Sequence, residues 1–197
     1  MTARRLLSTI MDCWPLGMWL GVIRLAPNRL RRPLANVFLD AVRYKERSGI
    51  AVLRSRALAI LGASIGSDVM IKAGVIVEYP ERLVIGNRVS IQHRCFLSCY
   101  GGLRIGNDVS IAHDVSIVTS SHPLDSPGPI REAPLTDGPV SIGSNVWIGM
   151  KVMVLAGVSI GDDAVIGAGS LVRSDIPPNS VAYGLPAVVR KPLYRKA

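Results

Sequence analysis

From Ile65 onward an aliphatic residue recurs every six positions. The runs are Ile65, Ile71, Val77; Ile85, Ile91, Leu97; Ile105, Ile111, Ile117; Ile142, Ile148, Val154; and Ile160, Ile166, Val172. Four positions after most of them stands a small or β-branched residue, such as Val69, Val89, Cys95, Val109, Val146, Ala164 or Ser170. A glycine follows the aliphatic directly at Gly66, Gly86, Gly106, Gly143, Gly149, Gly161 and Gly167. Each six-residue unit therefore predicts one short strand and one corner. The aliphatic and the small residue point inward, and glycine, asparagine or aspartate takes the tight corner. Three units close a triangle, so the fifteen aliphatics predict five stacked parallel coils. One coil alone buries almost nothing, whereas a stack buries a continuous aliphatic column. The fold class is an all-β repeat.

The spacing between coils marks where scaffold gives way to something else. Val77 to Ile85 and Leu97 to Ile105 each add two residues, and Val154 to Ile160 adds none. Ile117 to Ile142 spans 25 positions. A loop over 118–141 must leave the third coil there, and long loops on rigid scaffolds commonly carry function. It contains His122, followed by Pro123. The expected organisation is a basic, amphipathic, mostly helical arm over 1–58, the coil over 59–176 and a tail over 177–197.

Composition agrees: 49% of residues are hydrophobic but only 5% aromatic, so the apolar mass is Val, Ile, Leu and Ala, which suits many short strands. Three cysteines at no metal-like spacing argue against a disulfide framework or a zinc site. A reducing compartment, the cytoplasm, is the default. The net charge of +9 changes the picture for the arm alone: residues 1–56 hold 11 Lys/Arg against 3 acids, a surplus of 8. Arg4 and Arg5 precede an apolar stretch, but Asp12 and Pro15 interrupt it. Only Cys13–Ile23 is free of charge before Arg24, too short to span a bilayer as a helix. Trp14, Met18, Trp19, Leu20 and Ile23 beside arginines suit an interfacial helix at the inner face of the membrane. They suit equally an arm packed on the coil or on a neighbouring subunit. Nucleic acid is not the expected partner, because the basic stretch lies among bulky apolar residues rather than on a recognised module.

The stretch from Ile105 to Pro186 contains IGNDVSIAHDVSIVTSSHPL, then GSNVWIG, IGAGS and DIPPNSVAYGLP. It resembles the galactoside and maltose O-acetyltransferases and their relatives acting on nodulation oligosaccharides and exopolysaccharides, over about 80 residues. The N-terminal 60 residues do not share the likeness. The resemblance implies a left-handed parallel β-helix, a homotrimer, acetyl-CoA as co-substrate, no metal, and His122 as the catalytic base. The chemistry asks for such a residue: a sugar hydroxyl is a weak nucleophile, and an imidazole near neutral pKa can remove its proton during attack on the thioester. No covalent acyl-enzyme is required, and inward-facing Cys95 is a poor nucleophile.

By the same resemblance the pantetheine arm runs along the column two positions after each middle aliphatic: His93, His113, Met150, Ala168. Trp147, Gly149, Met150 and Ala168 are the expected cofactor contacts. Lys151, Arg173, Arg190 and Lys191 are candidates for the CoA phosphates, since an anionic tail needs cations. One family arginine position is occupied by Val188. Where relatives place an Asn and an Asp near the sugar, this chain has Gln92 and Tyr100. Gln92, His93, Tyr100 and His113 are the expected acceptor-binding residues.

The basic arm favours a lipid-linked oligosaccharide or polysaccharide precursor as acceptor, its anionic groups meeting the arginines. A free sugar or serine is the alternative. Two readings of another class are a zinc carbonic anhydrase on the same repeat and a non-catalytic scaffold. The first needs two histidines five apart, and the spacings here are His93–x19–His113–x8–His122.

Overall fold

In the computed structural model, residues 16–45, 49–123, 125 and 128–192 are described. Arg4, Arg5, Asp12, Cys13, Trp14 and Pro15 of the arm lie outside them.

The chain winds through three parallel sheets. The first runs through Ser64–Ile65, Leu83–Ile85, Leu103–Ile105, Val140–Ile142 and Ser159–Ile160. The second runs through Met70–Ile71, Ser90–Ile91, Ser110–Ile111, Trp147–Ile148, Val165–Ile166 and Ser180–Gly184, with Ala187–Pro192 added antiparallel at its edge. The third holds Ile76–Glu78, Phe96–Ser98, Ser116–Val118, Met153–Val154 and Leu171–Val172. The register places Ile65, Ile85, Ile105, Ile142 and Ile160 over one another. It stacks Ile71, Ile91, Ile111, Ile148 and Ile166 likewise. Val77, Leu97, Ile117, Val154 and Val172 form the third column. All fifteen repeat aliphatics are thus in register, and from the second coil on they are buried. A sixth, incomplete coil follows: Ile176 bridges Ile160 and Ala182 pairs with Ile166.

The corners differ from the expectation in one respect. The glycines after the aliphatics do not supply positive φ. That conformation falls to Asp68, Arg88, Asp108, Asn145 and Asp163 at one corner, and to Arg94, Asp114 and Lys151 at the next. The glycines answer to crowding instead. A Cβ on Gly86 would stand 2.7 Å from the Gly106 carbonyl oxygen in the coil above. Asn and Asp side chains lace the same corner: Asn107 Oδ1 accepts from the Asn87 backbone N–H at 2.8 Å, and Asp162 Oδ1 from that of Ser144 at 2.6 Å.

Among the described residues three helices close the first end of the coil: α1 (Leu16–Leu25), α2 (Asn28–Val42) and α3 (Ile50–Ile60). Ala35, Phe38 and Val42 line the buried face of α2, spaced for one side of a helix. Helix α3 packs on the first strands of the first and second sheets. A stack with an uncovered terminal coil would expose its column, and capping elements are the usual remedy. Among the described residues no helix is long and apolar enough to cross a membrane.

Candidate functional site

The interruption after the third coil is anchored at both feet. Thr119 is fully buried; its hydroxyl donates to the Ser98 carbonyl at 2.9 Å and accepts from the Gly101 N–H at 2.8 Å. Its own carbonyl accepts from Gly138 N–H, whose carbonyl accepts from Gly157 N–H. The loop is therefore tied to the coils below and above it. Ser120–Ser121 and Thr136–Asp137 then form a short antiparallel stem, with Thr136 Oγ1 donating to the Ser121 carbonyl at 2.9 Å.

His122 follows that stem directly and is exposed. Its Nδ1 lies 3.2 Å from the Ala133 carbonyl oxygen. A carbonyl only accepts, so Nδ1 carries the proton and Nε2 keeps its lone pair. The loop thus presents an oriented imidazole whose free nitrogen is the basic one.

A second group of residues lies at the corner between the second and third sheets. The His93 and His113 rings stack with centroids 5.2 Å apart and planes inclined by 13°. The column continues upward: Lys151 N–H donates to the His113 carbonyl and Gly169 N–H to the Met150 carbonyl. Beside it, Arg94 grips Asp114 through two bonds of 2.8 and 2.9 Å, holding that carboxyl below the usual range. Gln92 opens the same corner. Trp147, Met150 and Met153, on and beside this corner, are 56%, 45% and 46% exposed, unusual for apolar side chains of this size. Ala168 is exposed above Met150, so small and apolar side chains follow one another up the outside of this corner. Gly149 is buried, and a Cβ there would stand 2.6 Å from the Ala168 nitrogen, so coil stacking alone demands glycine.

Not every expected site residue joins these groups. Tyr100 lies on the corner between the third and first sheets, not with Gln92, His93 and His113. There its ring meets Tyr79 edge-on at 5.3 Å, and the Arg82 guanidinium covers it at 5.2 Å. One chain therefore does not gather the four acceptor-side residues into one pocket. The reason lies in the repeat: Tyr100 follows the third unit of its coil, and His93 the second. Arg173 is separated from Lys151 in the same way, following Leu171–Val172 of the third sheet. Arg190 and Lys191 lie on the antiparallel strand at the top of the second sheet, with Arg190 over the Tyr183 ring at 5.3 Å.

Among the described residues the thiols, Cys95 and Cys99, are not nucleophiles. Burial pushes Cys95 up to about 11 and Cys99 up to about 12, so neither is a thiolate near neutrality. Among the described residues no group of three His, Cys, Asp or Glu is placed to hold a metal ion. The sequence did not point to Thr119 and Gly138 as the feet of the loop. The one available signal was their position at the break in the repeat.

Comparison with known proteins agrees with this geometry. Residues 139–174 match the family model described as bacterial transferase hexapeptide (six repeats). The galactoside O-acetyltransferase of Escherichia coli is 36% identical over 128 residues, covering 64% of this chain and 62% of that protein. The chain spans about half the length of the curated relatives it matches. The crystal structure of a maltose O-acetyltransferase from Clostridium difficile superposes with a TM-score of 0.72 at 30% identity, over 85% of this chain and 89% of that one. A galactoside acetyltransferase in complex with coenzyme A gives 0.74 at 26% identity, over 92% of each chain. The coil has the left hand expected from these relatives.

Proposed function

This chain belongs to the hexapeptide-repeat acetyltransferase family, and from that premise we propose that it transfers an acetyl group from acetyl-CoA to a sugar hydroxyl. One observation carries the reading: the Ala133 carbonyl fixes the His122 tautomer, leaving Nε2 free to take a proton. In the proposed step Nε2 removes the hydroxyl proton as the oxygen attacks the thioester carbonyl. The tetrahedral oxyanion then collapses, and the imidazolium returns the proton to the departing thiolate. With Cys95 and Cys99 buried and protonated, direct transfer is the route we favour.

The pantetheine arm lies along the corner of Trp147, Gly149, Met150 and Ala168. Lys151, Arg190 and Lys191 meet the phosphates from the same side of the coil. The His122 loop leaves from another edge of the triangle, next to Tyr100. A homotrimer supports both facts: the loop of one subunit faces that corner of the next, and Arg173 and Tyr100 enter from that neighbour. His93 and His113, below Met150, flank the acceptor together with Gln92. The acceptor is a lipid-linked oligosaccharide or polysaccharide precursor, met at the cytoplasmic face of the membrane, and no metal takes part.

A mass-spectrometric acceptor screen with acetyl-CoA tests the reading, with His122→Ala as blank. An acetylated glycan formed by wild type and absent from the blank supports it. Equal product from both proteins would sink the assignment of the base.

A further inference from the structure

Helices α1, α2 and α3 surround a groove of about 830 Å³, lined by Leu20, Gly21, Arg24, Arg31, Arg56 and Ile60 among others. Three guanidinium groups thus share one opening. Arg31 is held there by the bond from its Nε to the Ala26 carbonyl at 2.9 Å. No acidic side chain among the described residues pairs with Arg24, Arg31 or Arg56, whereas Arg32 and Arg43 nearby are matched to Glu81 and Asp40. Like charges gathered with no counter-charge among the described residues suit an anionic partner.

The same helix carries a second feature. Met18, Val22 and Leu25 are 51%, 46% and 88% exposed. Their spacing of four and three residues puts them on one face of α1. Leu20 and Ile23 point into the core from the opposite side. At about 100° per residue, Gly21 lies between the exposed ridge and the Arg24 side of the groove. Going round α1, buried apolar residues give way to the arginine groove and then to an exposed apolar ridge.

We propose that this face docks on an anionic membrane surface. The arginines take headgroup phosphates, and Met18, Val22 and Leu25 enter the boundary with the acyl chains. Cationic groove and apolar ridge side by side on the helical cap fit a bilayer better than a second copy of the chain, since two such grooves facing each other would repel. Over its 10 described residues α1 is too short to span a bilayer and suits a place on its surface. The proposal agrees with a lipid-linked acceptor but does not rest on acetyl transfer, because binding is read without any acyl donor.

The test is sedimentation of the full chain with vesicles of equimolar phosphatidylcholine and phosphatidylglycerol, against vesicles of phosphatidylcholine alone. Wild type is expected to pellet with the anionic vesicles only, and to be released as ionic strength rises. The variant Arg24→Gln/Arg31→Gln/Arg56→Gln should lose about a hundredfold in partition. Val22→Ser/Leu25→Ser should lose several-fold while eluting on sizing as wild type does. Wild type left in the supernatant with anionic vesicles would overturn the proposal, as would undiminished pelleting of the arginine variant. A changed elution volume for the ridge variant would make the ridge a contact between copies, which also overturns it.

Discussion

Nδ1 of His122 lies 3.2 Å from the carbonyl oxygen of Ala133, which stands eleven residues further along the same loop. That contact closes the loop on itself and decides which imidazole nitrogen is basic. His122→Ala should therefore lower turnover by about 10²- to 10⁴-fold, the usual contribution of a positioned base. Coenzyme A binding should persist, because none of the corner residues has changed. Steady-state kinetics alongside calorimetric titration with coenzyme A checks both halves. Full turnover in His122→Ala would remove the residue from the chemistry.

What the residues disclosed in advance follows from how local each cause is. The coil was legible because each aliphatic from Ile65 to Val172 meets the same demand at the same point of its turn. The incomplete sixth coil was not, because Ala182 replaces the aliphatic and only four positions separate Val172 from Ile176. The loop and its histidine were visible as a break in the count. The distribution of the site over two edges was not: Tyr100 and His93 are seven apart in sequence, and only the corner each one occupies shows that they face different ways. Nor did the sequence show that Arg88, Arg94 and Lys151 adopt positive φ, since these side chains carry no intrinsic preference for it.

The His93 and His113 rings lie parallel at 5.2 Å, below Met150 on the same corner. A stacked pair of imidazoles offers a flat polar face, suited to a sugar and of little use to a thioester. His93→Ala and His113→Ala should each raise the acceptor KM about three- to tenfold, the range of one stacking or hydrogen-bond contact. The KM for acetyl-CoA should stay where it is. Two-substrate kinetics separates these constants, and an unmoved acceptor KM in both variants would place the stack outside the acceptor site.

Acid should reach the fold through two ion pairs. Hydrogen bonds from Arg94 to Asp114 and from Arg88 to Asp108 hold both carboxyls below their ordinary values. A depressed folded pKa stabilises the native state above the unfolded value, about 3.9, and that contribution disappears as pH falls through the folded value. Both pairs are exposed, so the effect is small. Asp108→Asn/Asp114→Asn should melt slightly below wild type at neutral pH, and the gap should narrow below about pH 4. Thermal melts across pH check this; a gap that widened toward acid would contradict the sign.

Arg54 is only 4% exposed, and its guanidinium works as a clamp. Nη2 donates to the Val42 and Lys45 carbonyls at 2.6 Å each, and Nη1 to the Ile71 carbonyl at 3.1 Å. The first two carbonyls lie at and just past the end of α2, where the helix dipole is negative; the third belongs to the first coil. One cation therefore ties the helical arm to the β-helix. Arg54→Met keeps much of the stem volume but leaves those carbonyls without their charged donor. The cost should be roughly 2–4 kcal/mol, from bonds to a charged group plus buried acceptors left unmet. It should fall on the arm, because the coils are stacked by their own register and contribute none of the lost donors. Hydrogen exchange is expected to speed up over 28–60 in Arg54→Met, with amides from Ile105 to Val172 little changed. Arg54→Lys should recover only part of the protection, since an ammonium offers a point charge where a planar fork spans separated carbonyls. Unchanged exchange in α2 of the Met variant would mean that apolar packing of Phe38 and Val42 alone holds the arm in place.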